Sequence, residues 1–290
     1  MTFRHFKIFI AVCNTNNMTA AAKTLFMSQS AVSQAIAELE KYYDVNLFER
    51  LSRKLYITQE GEKLLNYALN ITRMNTDLEN DMKSLCKKGF IRIGASVTVG
   101  AYFLPQLITE FKKISPETEI IVFEDNTEKI ELMILNSEID IGLVEGEIVS
   151  SDIINEEFMD DELVLICGKN HEFSKLNIIK PFQLEQENFI IREKGSGTRK
   201  TFEDIMDKNN LSYKANWICN NADTIKLAVA EGHGISVISK LSVINEVKSN
   251  LLLEKKIKGI EFKRKFKLIY HKNKFFTEPI NKLMDLCKKK

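Results

Sequence analysis

Apolar positions near the start of the chain recur with helical spacing. Phe3, Phe6, Ile10 and Cys13 form one stripe with Phe9 and Val12 beside it, which predicts an opening helix. Thr19 is placed to cap a short second helix, Ala20 to Phe26, whose small residues Ala20, Ala21 and Ala22 permit close approach of a neighbour. Ser28 is a suitable N-cap for a third helix running to about Tyr43. That helix has two unlike faces, with Val32, Ile36 and Leu39 on one side and Gln29, Ser30, Ser33 and Gln34 on the other. Leu47-Phe48-Glu49-Arg50 and the alternating run from Arg53 to Thr58 predict a two-stranded wing.

The period then lengthens. Leu64, Ala68, Ile71, Asn75, Leu78, Met82 and Leu85 repeat at alternating intervals of 4 and 3, the seam of a paired helix, with no glycine or proline from residue 62 to 88. From Phe90 the texture changes again. Alternation at Ile91, Ile93 and Ala95 predicts a strand, Leu104 to Ile114 a helix, Glu119 to Glu124 a strand, Ile130 to Leu135 a helix and Asp140 to Val144 a strand. A second set follows: strands at Leu163 to Cys167, Asn188 to Ile191, Asn216 to Cys219 and Ile235 to Val237, with helices at Thr201 to Lys208 and Thr224 to Glu231. Phe266 to Tyr270 predicts a last strand and Pro279 to Cys287 a last helix. The fold class is α/β with an all-α N-terminal part. The predicted domains are residues 1–58, a linker helix at 59–88, and an α/β region at 89–290.

Composition changes this picture little. With 290 residues, 44% hydrophobic and 28% charged, the chain has the make-up of a globular protein of two or three domains. The net charge of +1 rules out a polycation, so any nucleic-acid surface must be local; residues 1–58 hold seven Lys and Arg against four Asp and Glu. The five cysteines, Cys13, Cys86, Cys167, Cys219 and Cys287, are scattered through apolar contexts without a CxxC, so neither a disulfide framework nor a metal site is expected. No cleavable leader and no run of 18 apolar residues occurs, which predicts a cytoplasmic protein without membrane contact.

Two helices joined by a tight turn describe a helix-turn-helix, whose second helix enters the major groove with its N-terminal residues at the base edges. Uncharged hydrogen-bonding side chains suit base reading, glutamine above all for adenine. Arg50, Arg53 and Lys54 on the wing suit phosphate contact. The competing reading is a solvated polar face on a small helical bundle.

The run Asn17-Met18-Thr19-Ala20-Ala21-Ala22, Leu25, Ser28-Gln29-Ser30-Ala31-Val32-Ser33, Ile36, Leu39-Glu40, Leu47-Phe48-Glu49-Arg50, Arg53, Thr58 and Gly61 resembles the DNA-binding signature of LysR-type transcriptional regulators without a gap. The family often carries proline where this chain has Ser30. The resemblance implies DNA contacts from Thr19, Ser28, Gln29, Ser30, Ser33, Gln34, Arg50, Arg53 and Lys54 to an inverted-repeat operator in double-stranded DNA. It implies a homodimer through the linker helix, and a homotetramer. It also implies a two-lobed, periplasmic-binding-protein-like effector domain, with lobe 1 at about 89–161 and 271–290 and lobe 2 at about 162–270.

Ligands of open parallel sheets sit beyond the carboxyl ends of the strands. That rule selects Ser96, Val97 and Thr98, then Glu145, then Arg192, Ser196, Gly197 and Thr198, and finally Asn220. Hydroxyls and helix starts around one cleft predict a small anionic effector, whose identity the residues do not give; no cofactor and no metal are expected. Gly195-Ser196-Gly197-Thr198 lacks the spacing of a nucleotide loop. The alternating stretch Phe262 to Lys267 is expected to be a lysine-protected sheet edge. A solute receptor without gene regulation is the alternative function. An α/β enzyme is a third class, but no nucleophile elbow, metal cluster or paired catalytic carboxylates support it, and His233 in its glycine turn has no evident partner.

Overall fold

The computed structural model describes residues 1–51, 54–83 and 89–289, without the side chains of residues 50, 51, 54 and 81–83. These residues form two compact units.

The first unit opens with α1 (Phe3–Thr15), α2 (Met18–Thr24) and α3 (Gln29–Tyr43), followed by strands β1 (Phe48–Leu51) and β2 (Lys54–Ile57) and helix α4 (Gln59–Lys83). The caps explain where the helices start. Asn17 accepts hydrogen bonds from the Thr19 and Ala20 amides at 2.9 and 3.0 Å, so α2 begins at Met18 and Asn17 is its cap in place of Thr19. Ser28 accepts from the Ala31 amide at 3.2 Å and caps α3 as expected. Between the two, Phe26 takes a left-handed φ of 53° and is 98% exposed. The wing is antiparallel, with Phe48 opposite Ile57 and Leu51 opposite Lys54. Phe6, Phe9, Val12, Val32, Ile36, Leu39 and Leu47 are buried together, and each such side chain is worth about 1.5–3 kcal/mol. Phe9 meets Phe48 at 5.5 Å between ring centroids and thereby ties the wing to α1.

The expected seam of α4 divides. Ala68 is fully buried in this core with Leu64 and Ile71 packed against it, so that part of the stripe serves its own chain. The exposed stripe is Tyr67, Met74 and Leu78, with half-buried Ile71 completing intervals of 4, 3 and 4. Asn75 donates from its side-chain amide to Glu79 at 2.8 Å. Leu85 lies outside the described residues.

The second unit contains β3 (Phe90–Ser96), α5 (Val97–Tyr102), α6 (Leu104–Ile114), β4 (Glu119–Asp125), α7 (Thr127–Leu135), β5 (Ile141–Glu145), β6 (Ile153–Gly168), β7 (Ile178–Ile179), β8 (Asn188–Arg192), α8 (Gly197–Lys208), β9 (Lys214–Cys219), α9 (Ala222–Ala230), β10 (Ser236–Ser239), α10 (Ile244–Lys248), β11 (Leu252–Ile257), β12 (Phe262–His271) and α11 (Glu278–Cys287). One sheet runs in the order β4-β3-β5-β12-β6-β11-β7, with β10 also on β6; β8 and β9 pair in parallel beside it. Ile91, Ile93, Leu107, Phe111, Leu143 and Leu283 form the core of the first lobe, under α11. Leu165, Phe173, Phe189, Phe202 and Val237 form the main core of the second.

Two strands pass between the lobes. At 16 residues β6 reaches about 50 Å at the usual rise per residue, enough to serve both. The sequence pattern shows only its second half, because the first half exposes Asn155, Glu157 and Asp160. The other strand corrects an expectation. β12 pairs with β6 along its whole length and with β5 at Phe266–Ile269, so Phe266 and Lys267 lie inside the sheet, while Phe262–Lys265 pair with β6 alone. Its lysines do face solvent, where Lys265 meets Asp160 at 2.8 Å, but Phe262, Arg264 and Phe266 point inward and are buried. Among the described residues no helix is long and apolar enough to cross a membrane.

Candidate functional site

The polar face of α3 is presented at its N-terminus. Ser28, Gln29 and Ser30 are exposed, Ser33 is half-buried, and Thr19 is exposed on the first turn of α2. The Ser28 and Ser30 hydroxyls lie 3.0 Å apart. Gln34 is already engaged, donating to Glu38 at 2.9 Å, and His5 bonds the other Glu38 oxygen at 2.8 Å. The His5 bond first, and then that of Gln34, holds the Glu38 carboxyl below its ordinary range. Arg50 and Lys54 lie on the wing strands, and Arg53 falls outside the described residues.

The second constellation lies between the lobes. Ser96 ends β3 and Glu145 ends β5, both in the first lobe; Thr198 is on the first turn of α8 in the second; all three are buried. The Ser96 hydroxyl donates to Glu145 Oε2. Arg264, on the crossing strand β12, donates from Nη1 to Thr198 Oγ1 at 2.8 Å, and the same nitrogen stands 3.6 Å from Glu145 Oε1. Its Nε donates to Asp161 Oδ2 on β6 at 2.7 Å. Its Nη2 is buried and has no hydrogen-bond partner among the described residues.

The lobes touch directly here. Gly146 has φ +94°, and a Cβ on it would stand 2.8 Å from the Gly197 Cα; a Cβ on Gly197 would stand 2.1 Å from the Glu145 carbonyl oxygen. Thr127 donates to that same carbonyl at 2.8 Å, and the Glu128 amide donates to the Gly195 carbonyl at 3.1 Å. Lys226 of α9 holds Asp223 at 2.9 Å and Glu246 at 2.8 Å. Burial opposes the charge on Lys226, but the bonds to Glu246 and Asp223 outweigh it and raise its pKa.

The expected site residues therefore divide. Ser96, Glu145, Gly197 and Thr198 are brought together, with Val97 and buried Thr98 next to Ser96 on α5. Ser196 caps α8, accepting from the Arg199 amide at 3.5 Å. Arg192 is buried but forms a two-pronged pair with Glu193 at 2.8 and 3.0 Å, and Arg199 pairs with Glu203 at 2.8 Å. Asn220 is exposed and accepts from Asn221. Arg264 and Asp161 belong to the site and were missed. The signal for Arg264 was present, since it shares the inward alternation of Phe262 and Phe266. Among the described residues no three His, Cys, Asp or Glu side chains group as a metal site.

Residues 3–62 match the family model described as bacterial regulatory helix-turn-helix protein, lysR family, and residues 87–290 match the LysR substrate binding domain. The chain belongs to the LysR family of transcriptional regulators. It is similar to the HTH-type transcriptional activator CmpR of Synechocystis, at 32% identity over 276 residues covering 94% of this chain and 90% of that one. It is similar also to the HTH-type transcriptional regulator CysL of Bacillus subtilis, at 30% identity over 91% of this chain and 89% of that one. The solved regulatory domain of Synechocystis CcmR in complex with 2-PG covers 70% of this chain and 97% of its own, at 27% identity and a TM-score of 0.65. A full-length OxyR variant from Pseudomonas aeruginosa covers 100% of this chain and 94% of its own, at 16% identity and a TM-score of 0.69, which establishes the shared fold. This regulator thus joins a DNA-binding domain to an effector-binding domain, and the alternative of a solute receptor without gene regulation is set aside.

Proposed function

We propose that this regulator is a cytoplasmic, non-enzymatic DNA-binding protein that reads an inverted-repeat operator as a homodimer, assembled further into a homotetramer, and responds to a small anionic effector held between its two lobes. The observation that carries the effector reading is the buried Ser96–Glu145–Arg264–Thr198 cluster, in which both lobes and a crossing strand meet at a guanidinium with one donor unpartnered among the described residues. A buried donor without a partner costs about 1–3 kcal/mol, and an anion supplies the missing acceptor. The complex of the CcmR regulatory domain with 2-PG supports a small-molecule ligand in this domain.

Exposed Ser28, Gln29 and Ser30 at the start of α3 support base contact, together with Thr19, Ser33 and Gln34; the basic residues Arg50, Arg53 and Lys54 are assigned to phosphate contact from the sequence. Tyr67, Ile71, Met74 and Leu78 support pairing of α4 with a second copy, which places two reading helices about a two-fold axis. Footprinting with and without added anions tests the whole reading. A symmetric protected region whose extent or strength changes on titration of an anion is expected. Protection that ignores every anion but responds to neutral compounds sinks the effector assignment, and asymmetric protection sinks the dimeric one.

A further inference from the structure

We propose that Glu145 makes the cleft selective for anions that carry their own O–H or N–H donor. This rests on the anion-sensing reading above and refines it.

The Glu145 side chain is 2% exposed and has little room to leave. A Cβ added to Gly197 would meet its backbone oxygen at 2.1 Å and its Cγ at 2.9 Å, so α8 packs directly over it. Thr127 fixes its backbone carbonyl and Ser96 fixes its carboxylate. An ionised carboxylate only accepts hydrogen bonds and offers about four lone-pair positions. Ser96 takes one of them. At 3.6 Å Arg264 Nη1 contributes charge without a proper hydrogen bond. Among the described residues Ser96 is therefore the only hydrogen-bond donor to the Glu145 carboxylate, and Nη2, on the same guanidinium as Nη1, has no acceptor.

The donors next to an anion are also fewer than the count of hydroxyls implies. The single hydroxyl hydrogen of Ser96 is committed to Glu145, while Thr198 accepts from Arg264 and keeps its own hydrogen to give. Arg264 is shared between Asp161 and Glu145, so two buried carboxylates surround one cation. A fully deprotonated anion seated on Arg264 Nη2 and Thr198 would turn a lone pair toward the Glu145 carboxylate, a like-charge contact in a poorly solvated place. An anion with a hydrogen on that side gives Glu145 a hydrogen bond at the same position. Polar groups buried to meet a donor reject analogues that lack it by up to about 10⁴–10⁵.

Titration calorimetry on the full chain with matched anions at neutral pH tests this. The pairs are phosphate, which carries a proton, against sulfate, which does not; and glycolate against fluoroacetate, in which fluorine replaces the hydroxyl. The wild type is expected to bind the donor-bearing member at least about 100-fold tighter in each pair that binds. Glu145→Gln keeps the acceptor for Ser96 and turns an N–H to the ligand, so it should bring the ratio to about tenfold or less. Equal affinities within the pairs in the wild type, or an unchanged ratio in Glu145→Gln, overturn the proposal and leave anion sensing standing. Binding of none of the four anions by either protein overturns the anion reading and this inference together. The wild-type comparison needs no variant, so a Glu145→Gln chain that fails to fold leaves the test intact.

Discussion

Arg264 and Asp161 face each other directly across β12 and β6, and their side chains join at 2.7 Å between Nε and Oδ2. Both side chains are almost wholly buried, at 3% and 1% exposed, and Asp161 also accepts from Ser239 at 2.8 Å. The pair thus links the two crossing strands to the second lobe and holds the guanidinium in the cleft. Breaking a buried pair from one side strands the remaining charge, at about 3–5 kcal/mol. Asp161→Ala is expected to lose that much in denaturant unfolding, and Asp161→Ala with Arg264→Met to regain most of it. A single variant within 1 kcal/mol of the wild type, as is usual for an exposed pair, would contradict the buried geometry.

Gly197 decides how closely the lobes approach. Gly197→Ala puts a methyl 2.1 Å from the Glu145 carbonyl oxygen, and neither side is a flexible side chain. Overpacking of this kind costs about 1–3 kcal/mol, and faster hydrogen exchange at the Glu145 and Gly146 amides should accompany it. Helix propensity alone favours alanine over glycine by about 1 kcal/mol. A stabilised variant would therefore show that the contact does not form.

The helix-turn-helix carries two local effects of opposite sign. Asn17→Ala removes the acceptor of two amides and is expected to cost about 1 kcal/mol. Phe26→Asn replaces a fully exposed aromatic at φ 53° by a residue that tolerates the left-handed region, and should gain about 1 kcal/mol. Thermal melts of the two variants should move in opposite directions.

Tyr270 donates to Glu156 at 2.6 Å. Burial first, then the bond and charge of Glu156, push its hydroxyl up to about 12 from an ordinary value of about 10. The folded state thus favours the protonated phenol, so this stability is complete below about pH 10 and is lost as pH rises through about 12. Tyr270→Phe should cost about 1 kcal/mol at neutral pH, discounted for partial exposure, and the gap to the wild type should close between those pH values. A gap constant with pH would remove the linkage.

How much of this was legible depends on the distance over which each feature is determined. The stripe of Phe6, Phe9 and Val12, the cap at Ser28 and the face bearing Gln29, Ser30 and Ser33 are set by residues a few positions apart, so the periodicity of the chain reveals them. The cap lies at Asn17 and not at Thr19 because both side chains can accept from a helix's first amides, and only two positions separate them. On α4 the heptad pattern was visible, but which flank faces α1 was not, because Ala68 is small enough to suit either role.

By itself, the sequence determined the helical N-terminal reader, the α/β alternation and the loops that hold Ser96, Glu145 and Thr198, because local period and strand-end chemistry are written in adjacent residues. Only the tertiary structure decided that Arg264 stands among them. Its contacts reach back 66 residues to Thr198 and 103 to Asp161, and nothing in its lysine-flanked stretch of sequence shows that Asp161 of β6 stands opposite it. A charge on a strand is assigned to solvent or to a cleft by the neighbours that pair with that strand, and pairing across such separations leaves no period in the chain.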